Sequence, residues 1–254
     1  MRIPFFQPPL PLPRYTYVLG SWKGKVRETN EDLCIVEDPA SPYVKYRKGP
    51  LFIVTDGVGG HRCGAFASSL AIASIRDAYY KGPATETPAD ALERALQWAS
   101  ASIFYARQEK KECDNMASTA VALSIVQRYG FIAYVGDSRA YLFRKGFLTC
   151  LTTDHIREVI TEKGEKRKVL ERALGMERVT EVDVIRVTLE PMDRILLCSD
   201  GLTDEIPDEN IEEILRQSPN IRTNMRSLVH LANLRGGHDN ITLILVRIRS
   251  LPGK

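Results

Sequence analysis

Short apolar runs alternate along this chain with polar stretches and two long amphipathic segments. Leu51-Phe52-Ile53-Val54 ends at Thr55-Asp56-Gly57 and predicts a buried strand that opens into a loop. Residues 64–80 are rich in Ala, Ser, Leu and Ile without internal Gly or Pro, which predicts a helix. A second helix is predicted from about Pro88 to Lys110, with Thr87 as its N-cap and Pro88 at its first position. Strands follow at 119–126, 131–135 and 140–144, with Asp137-Ser138 and Lys145-Gly146 as turn residues. Residues 155–163 read as a helix that stops at Gly164. Residues 182–189 alternate, and 194–198 form a buried strand ending at Ser199-Asp200-Gly201. Helices at 208–217 and 222–234 follow, the second closed by Gly236-Gly237, before a final strand over 241–248. Strands come in hairpin-like runs and helices in pairs, so the fold class is α+β with mainly antiparallel sheet. No repeat or linker breaks the pattern, which predicts one domain over 15–254 behind a proline-rich arm at 1–14.

Composition narrows the function classes. The chain has 254 residues, 44% hydrophobic and 26% charged, with a net charge of only +3. Its cations are scattered, so no nucleic-acid arm and no basic membrane tail are expected. No signal peptide and no run of ~20 apolar residues is present, and a cytoplasmic monomer is expected. Five cysteines, none in C-x-x-C spacing, fit a reducing compartment and argue against a zinc site.

The chemistry concentrates at three strand ends. Asp56-Gly57 and Asp200-Gly201 each follow a buried apolar run, and Asp239-Asn240 precedes another. Carboxylates gathered without Cys or His suit hard cations such as Mg²⁺ or Mn²⁺. Without a cation they would repel one another.

These positions fall inside an ordered set of motifs. Arg27-Glu28-Thr29-Asn30-Glu31-Asp32, Asp56-Gly57-Val58-Gly59-Gly60-His61 and Met116-Ala117-Ser118-Thr119-Ala120 come first. Gly136-Asp137-Ser138-Arg139 and Leu151-Thr152-Thr153-Asp154-His155 follow. Ser199-Asp200-Gly201-Leu202-Thr203-Asp204 and Gly236-Gly237-His238-Asp239-Asn240-Ile241-Thr242 complete the set. In kind and order the sequence resembles the metal-dependent Ser/Thr protein phosphatases of type 2C, in their compact bacterial form.

The resemblance implies a four-layer α-β-β-α sandwich of two mainly antiparallel sheets flanked by helix pairs. It implies two metal ions, Mn²⁺ or Mg²⁺, with Asp56 bridging them and the Gly57 carbonyl on the second. Asp200 and Asp239 would complete the first ion's shell, and Asp32, with Glu31, would act through water. Asp137 with Asp200 would form a third, weaker metal site. A hydroxide generated between the metals would attack phosphorus directly. Arg27 would bind the phosphate with its guanidinium fork, and His61 would give a proton to the leaving alkoxide. His155, His230 and His238 read as structural. The expected substrates are phosphoserine and phosphothreonine proteins, and the expected partner is a bacterial Ser/Thr kinase whose action is reversed.

Departures from the family pattern are few. Ala65 stands where Glu is common, and Ala117 where Gly is common. Arg172-Ala173-Leu174-Gly175 follows Asp154-His155 after only the residues 156–171, which predicts a short flap over the substrate surface. Arg157 to Arg172 is rich in both charges, as an exposed helix would be. The alternative is a pseudophosphatase that binds phosphoproteins without hydrolysis. That reading expects a missing metal carboxylate, whereas Arg27, Asp32, Asp56, Asp137, Asp200 and Asp239 are all present.

Overall fold

The structure, a computed structural model, describes residues 12–60, 62–83, 85–160, 164 and 166–252. Along the chain, β1 (Arg14–Trp22) and β2 (Asp32–Glu37) precede a short helix α1 (Pro42–Arg47), then β3 (Leu51–Val58). Two long helices follow, α2 (Arg62–Lys81) and α3 (Pro88–Glu109), then a 3₁₀ turn at Lys111–Cys113. The central strands are β4 (Ala117–Ser118), β5 (Ala120–Val126), β6 (Tyr129–Val135), β7 (Arg139–Arg144) and β8 (Phe147–Cys150). A hairpin of β9 (Ile156–Ile160) and β10 (Lys166–Leu170) leads to β11 (Asp183–Thr188) and β12 (Arg194–Cys198). The chain then forms α4 (Asp200–Thr203), α5 (Asp208–Gln217), α6 (Ile221–Arg235) and β13 (Ile241–Ser250).

Two antiparallel sheets result. One has the order β1-β13-β12-β7-β8; the other runs β11-β6-β5-β3-β2, with β4 paired to β3. Their central strands are continuous apolar runs because both faces are buried. In β3, Leu51 and Ile53 point to α2 and α3, while Phe52 and Val54 point to the other sheet. In β13, Leu243 and Leu245 meet the residues of α5 and α6, while Ile244, Val246 and Ile248 meet the other sheet. Three cores therefore separate four layers, helix–sheet–sheet–helix, as expected from the sequence.

The α2–α3 packing rests on small residues. Ala67, Ala71, Ala91, Ala95 and Ala99 are wholly buried, which lets the two helices approach closely. Thr87 caps α3 by accepting from the Asp90 backbone N–H at 3.2 Å, with Pro88 in the first turn as predicted. Gly236 and Gly237, both at positive φ, end α6 as predicted.

Three expectations need correction. Residues 155–163 do not form a helix; the described part is β9, paired in register with β10 from Leu170↔Ile156 to Lys166↔Ile160. Ile156, Val159, Ile160 and Val169 are β-branched, and Glu158 pairs across the hairpin with Lys166 at 2.9 Å. The hairpin base is closed by Glu171 N–H donating to the His155 carbonyl at 2.8 Å. Strand β3 runs on to Val58 rather than opening at Thr55. Cys63 and Cys113 are disulfide-bonded, where the sequence suggested only thiols. The proline-rich arm lies outside the described residues up to position 11, and Arg14 already belongs to β1.

Candidate metal and phosphate site

The site straddles the two sheets at one end of the sandwich. Asp32 and Asp56 come from neighbouring strands of one sheet and stand directly opposite each other in the β2–β3 register. Asp200 follows β12 and Asp239 precedes β13, both in the other sheet. Asp137 sits where the chain crosses from β6, in the sheet of Asp32 and Asp56, to β7, in the sheet of Asp200 and Asp239.

The backbone around these carboxylates is tightly cross-tied. The Asp56 N–H donates to Thr119 Oγ1 at 3.2 Å, and its carbonyl accepts from Thr119 N–H at 2.8 Å and from Ser118 Oγ at 3.0 Å. A Cβ on Gly57 would lie 1.9 Å from the Gly64 carbonyl oxygen, so only glycine lets α2 start this close to β3. Gly201 is held in the same way, because a Cβ there would lie 2.0 Å from the Asn240 carbonyl oxygen. Asp137 is oriented from behind. Gly136 N–H donates to His155 Nδ1 at 3.1 Å, which puts the ring proton on Nε2, toward Asp183 Oδ2 at 2.9 Å. His155 is buried and stacked on Tyr134, the structural role expected of it.

Three side chains that sequence reasoning left without a role prove to organise the site. Ser199 Oγ donates to Asp32 Oδ2 at 2.7 Å and accepts from Thr242 N–H at 3.1 Å. Asn240 accepts from Glu31 N–H and donates to the Lys23 and Thr29 carbonyls, stitching the 23–31 loop to the start of β13. Asn30 holds the same loop from its other side through Ser21 and the Asp32 N–H. The signal for all three was their place inside the motifs; their partners lie far away in sequence.

Arg27 is carried by that loop. The Lys25 and Val26 N–H groups donate to the Gly237 carbonyl, which brings the guanidinium against Asp239, Nη2 to Oδ2 at 2.5 Å. Arg27 is half exposed and faces the solvent-accessible side of the carboxylates. His238 lies on the surface against Glu205 and His230 on the exposed face of α6, so neither enters the site. Glu31 is buried against the start of α2, its carboxylate beside Gly64. His61 lies outside the described residues.

Burial, then mutual repulsion, leaves Asp32, Asp56, Asp137 and Asp200 reluctant to ionise. Burial, then the neighbouring carboxylates, hold Asp56 well above the ordinary range. Burial raises Asp32 to about 7 against hydrogen bonds from Ser199 and Thr242 that pull it down. Burial and Asp137 push Asp200 up to about 8, and burial lifts Asp137 to about 6. Asp200 Oδ1 is buried and has no hydrogen-bond partner among the described residues. An orphaned buried carboxylate oxygen costs about 1–3 kcal/mol or more unless a cation or water meets it.

Among the described residues, no three Asp, Glu, His or Cys side chains already stand in a closed ligating group. The acids ring an open space, with Asp239 turned to Arg27. Their chemistry nevertheless fits a hard divalent ion. The donors are carboxylate oxygens, one is unpartnered, and their mutual repulsion calls for positive charge between them.

A cleft of about 570 Å³ opens from this ring. Asp137 and Asp200 line one end, Val58 and Ala117 one wall, and Arg167 and Lys168 of the β9–β10 hairpin another. Arg139 on its floor is locked to Asp154 by two parallel hydrogen bonds of 2.8 and 2.6 Å.

Comparison with known proteins finds similar chains over most of this length. The family model described as "Protein phosphatase 2C" matches residues 27–233. The serine/threonine phosphatase stp of Listeria innocua is 34% identical over 239 residues, covering 88% of this chain and 92% of that protein. The Mycobacterium tuberculosis serine/threonine phosphatase PstP/Ppp superposes with a TM-score of 0.77 at 30% identity, over 93% of this chain and 99% of that one. A crystal structure of the PstP catalytic domain in complex with two manganese ions superposes with a TM-score of 0.75, at 30% identity and the same coverage.

Proposed function

Since this chain belongs to the protein phosphatase 2C family, a serine/threonine phosphatase that uses divalent metal, we propose how its own residues divide the hydrolysis of a phosphomonoester. The observation that carries the reading is the cluster of Asp32, Asp56, Asp137 and Asp200, whose carboxyls are all raised, beside the Arg27–Asp239 pair.

Asp56, Asp200 and Asp239, with the Gly57 carbonyl, would hold two divalent ions, and Asp32 would act on them through water. Asp137 with Asp200 would hold a third, weaker one. Divalent ions held there would neutralise the carboxylates and would supply a water of lowered pKa for attack on phosphorus. Mn²⁺ and Mg²⁺ both suit the oxygen donors.

Arg27 orients the phosphate. Its guanidinium presents two parallel donors, and its contact with Asp239 keeps it at the mouth of the ring. Ser199 holds Asp32 in position, so the inner acids keep their spacing as charge builds up. His61 is the proposed proton donor to the serine or threonine alkoxide, a poor leaving group without that proton. The cleft beside the ring suits an extended phosphopeptide, with the β9–β10 hairpin along its side. We read residues 15–254 as one catalytic domain that acts as a monomer and reverses a bacterial Ser/Thr kinase.

The direct test is phosphate release from a phosphothreonine peptide and from p-nitrophenyl phosphate, with Mn²⁺ and Mg²⁺ titrated against a chelator. Metal-dependent turnover that disappears in Asp56→Asn and Asp239→Asn, with both variants folded, is expected. Wild-type turnover in either variant in trace-metal-controlled buffer would refute the ligand assignment.

A further inference from the structure

The Cys63–Cys113 bond joins two segments that meet at the catalytic loop. Cys63 lies in the first turn of α2, shortly after Gly57 to Gly60 in the sequence. Cys113 ends the 3₁₀ turn ahead of Met116 and β4. The two Cα atoms are 5.4 Å apart and the residues are 50 positions apart in sequence.

Between them stands one wall of the site. Gly57 and Val58 pair with Ser118 and Ala117, and a Cβ on Gly59 would lie 2.9 Å from Met116 Cα. Val58, Asn115 and Ala117 face the cleft, and Ser118 and Thr119 hold the Asp56 carbonyl. Whatever fixes the spacing of these two segments fixes the end of β3 that carries Asp56 and Gly57.

The other thiols differ in kind. Cys198 is fully buried, and burial pushes its thiol far up; burial raises Cys34 to about 11. Both are held as inert thiols, and Cys150 stands exposed on β8. Cys63 and Cys113 are 9% and 6% exposed, at the edge of the helix–sheet core and bonded to each other. In a reducing compartment such a pair forms a transient bond rather than a permanent one.

We propose that Cys63 and Cys113 form a reversible thiol–disulfide lock on the wall that carries Asp56 and Gly57. The oxidised form holds the wall in the spacing the cation site needs; the reduced form releases it and weakens cation binding. The cation-binding half of this proposal rests on the metal-dependent phosphatase reading.

The exchange balances with a low-molecular-weight disulfide as oxidant. One cysteine thiolate attacks that disulfide, expels one small thiolate and leaves a mixed disulfide. The second cysteine thiolate then attacks the protein sulfur and expels the other. The protein loses two electrons and two protons, and the small disulfide is reduced to two thiols. A small dithiol reverses both steps.

The test uses the full chain. Alkylation under denaturing, non-reducing conditions followed by mass spectrometry is expected to label three of the five cysteines, Cys34, Cys150 and Cys198, and all five after reduction. Mn²⁺ binding followed by calorimetry is expected to weaken on the order of tenfold in the reduced protein, the scale seen when support for a ligand is lost. Amide exchange over 57–63 and 113–118 is expected to speed up in the same state. Cys63→Ser and Cys113→Ser should behave as reduced protein with or without dithiol, while Cys150→Ser keeps the difference.

Five labelled cysteines in the air-oxidised protein would overturn the proposal. So would equal Mn²⁺ affinity and equal exchange in the two states with the bond present. Absence of Mn²⁺ binding in both states would instead count against the metal-dependent reading and the cation half of the proposal. The exchange of the two segments would then decide the lock alone, and reducing wild-type protein needs no variant to fold.

Discussion

Asp200 combines an unpartnered buried oxygen with a carboxyl raised to about 8. Its folded pKa and that of Asp32, about 7, lie above the unfolded value near 4. Between those limits the folded chain keeps protons that the unfolded chain has lost. Stability of the metal-free protein therefore falls as pH rises from about 4 to about 8. Melting in chelator should give a lower Tm at pH 8 than at pH 5.5, and saturating Mn²⁺ should raise Tm more at pH 8. A metal-free Tm that climbs with pH across this window would contradict the raised values. Asp56→Asn removes one charge from the ring, so it should abolish turnover and yet raise the metal-free Tm. We expect about 1 kcal/mol, or roughly 2–4 °C, by calorimetry in chelator. Ser199→Ala tests the positioning of Asp32: Mn²⁺ affinity should fall about 10–100-fold while the fold persists. The acids themselves were legible in the sequence because each sits in a short motif at a strand end. Ser199, Asn30 and Asn240 were not, because their meaning lies in partners such as Asp32 and Lys23 that only the fold brings near.

At the scale of elements, local pattern succeeded where one periodicity dominated. The capped α3, the strand over 194–198 and the helix over 208–217 were read closely. The β9–β10 hairpin was misread because its charges suggested a solvated helix, while its β-branched residues and cross-strand Glu158–Lys166 pair decide for strand. Strands β1 and β2 escaped notice, since Arg14–Trp22 mixes exposed and half-buried positions without a clean alternation. The hairpin makes a prediction of its own. Arg167 and Lys168 line the cleft from the hairpin rather than from the strand ends that carry the acids, so Arg167→Ala with Lys168→Ala should raise KM for a phosphopeptide several-fold. Turnover of p-nitrophenyl phosphate, too small to reach the hairpin, should stay unchanged. Equal losses on both substrates would place the effect in the chemistry rather than in recognition.

For the molecule as a whole, the α+β class with mainly antiparallel sheet could be read from the chain's own pattern, while the four layers were implied by the resemblance of its motifs. Which faces meet could not be read, because a strand apolar on both sides gives no hint of its neighbours. Ile244 belongs to the sheet–sheet core and is fully buried. Ile244→Ala should cost about 2–5 kcal/mol in denaturant unfolding, with little change in turnover at low temperature. The acids themselves are contributed from both sides of that core: Asp32 and Asp56 by one sheet, Asp200 and Asp239 by the other. An ion shared among them would therefore be a clasp across the seam of the sandwich. Each sheet on its own would hold half of the proposed site, and any sliding of one sheet over the other would open the clasp before it broke a single strand pair.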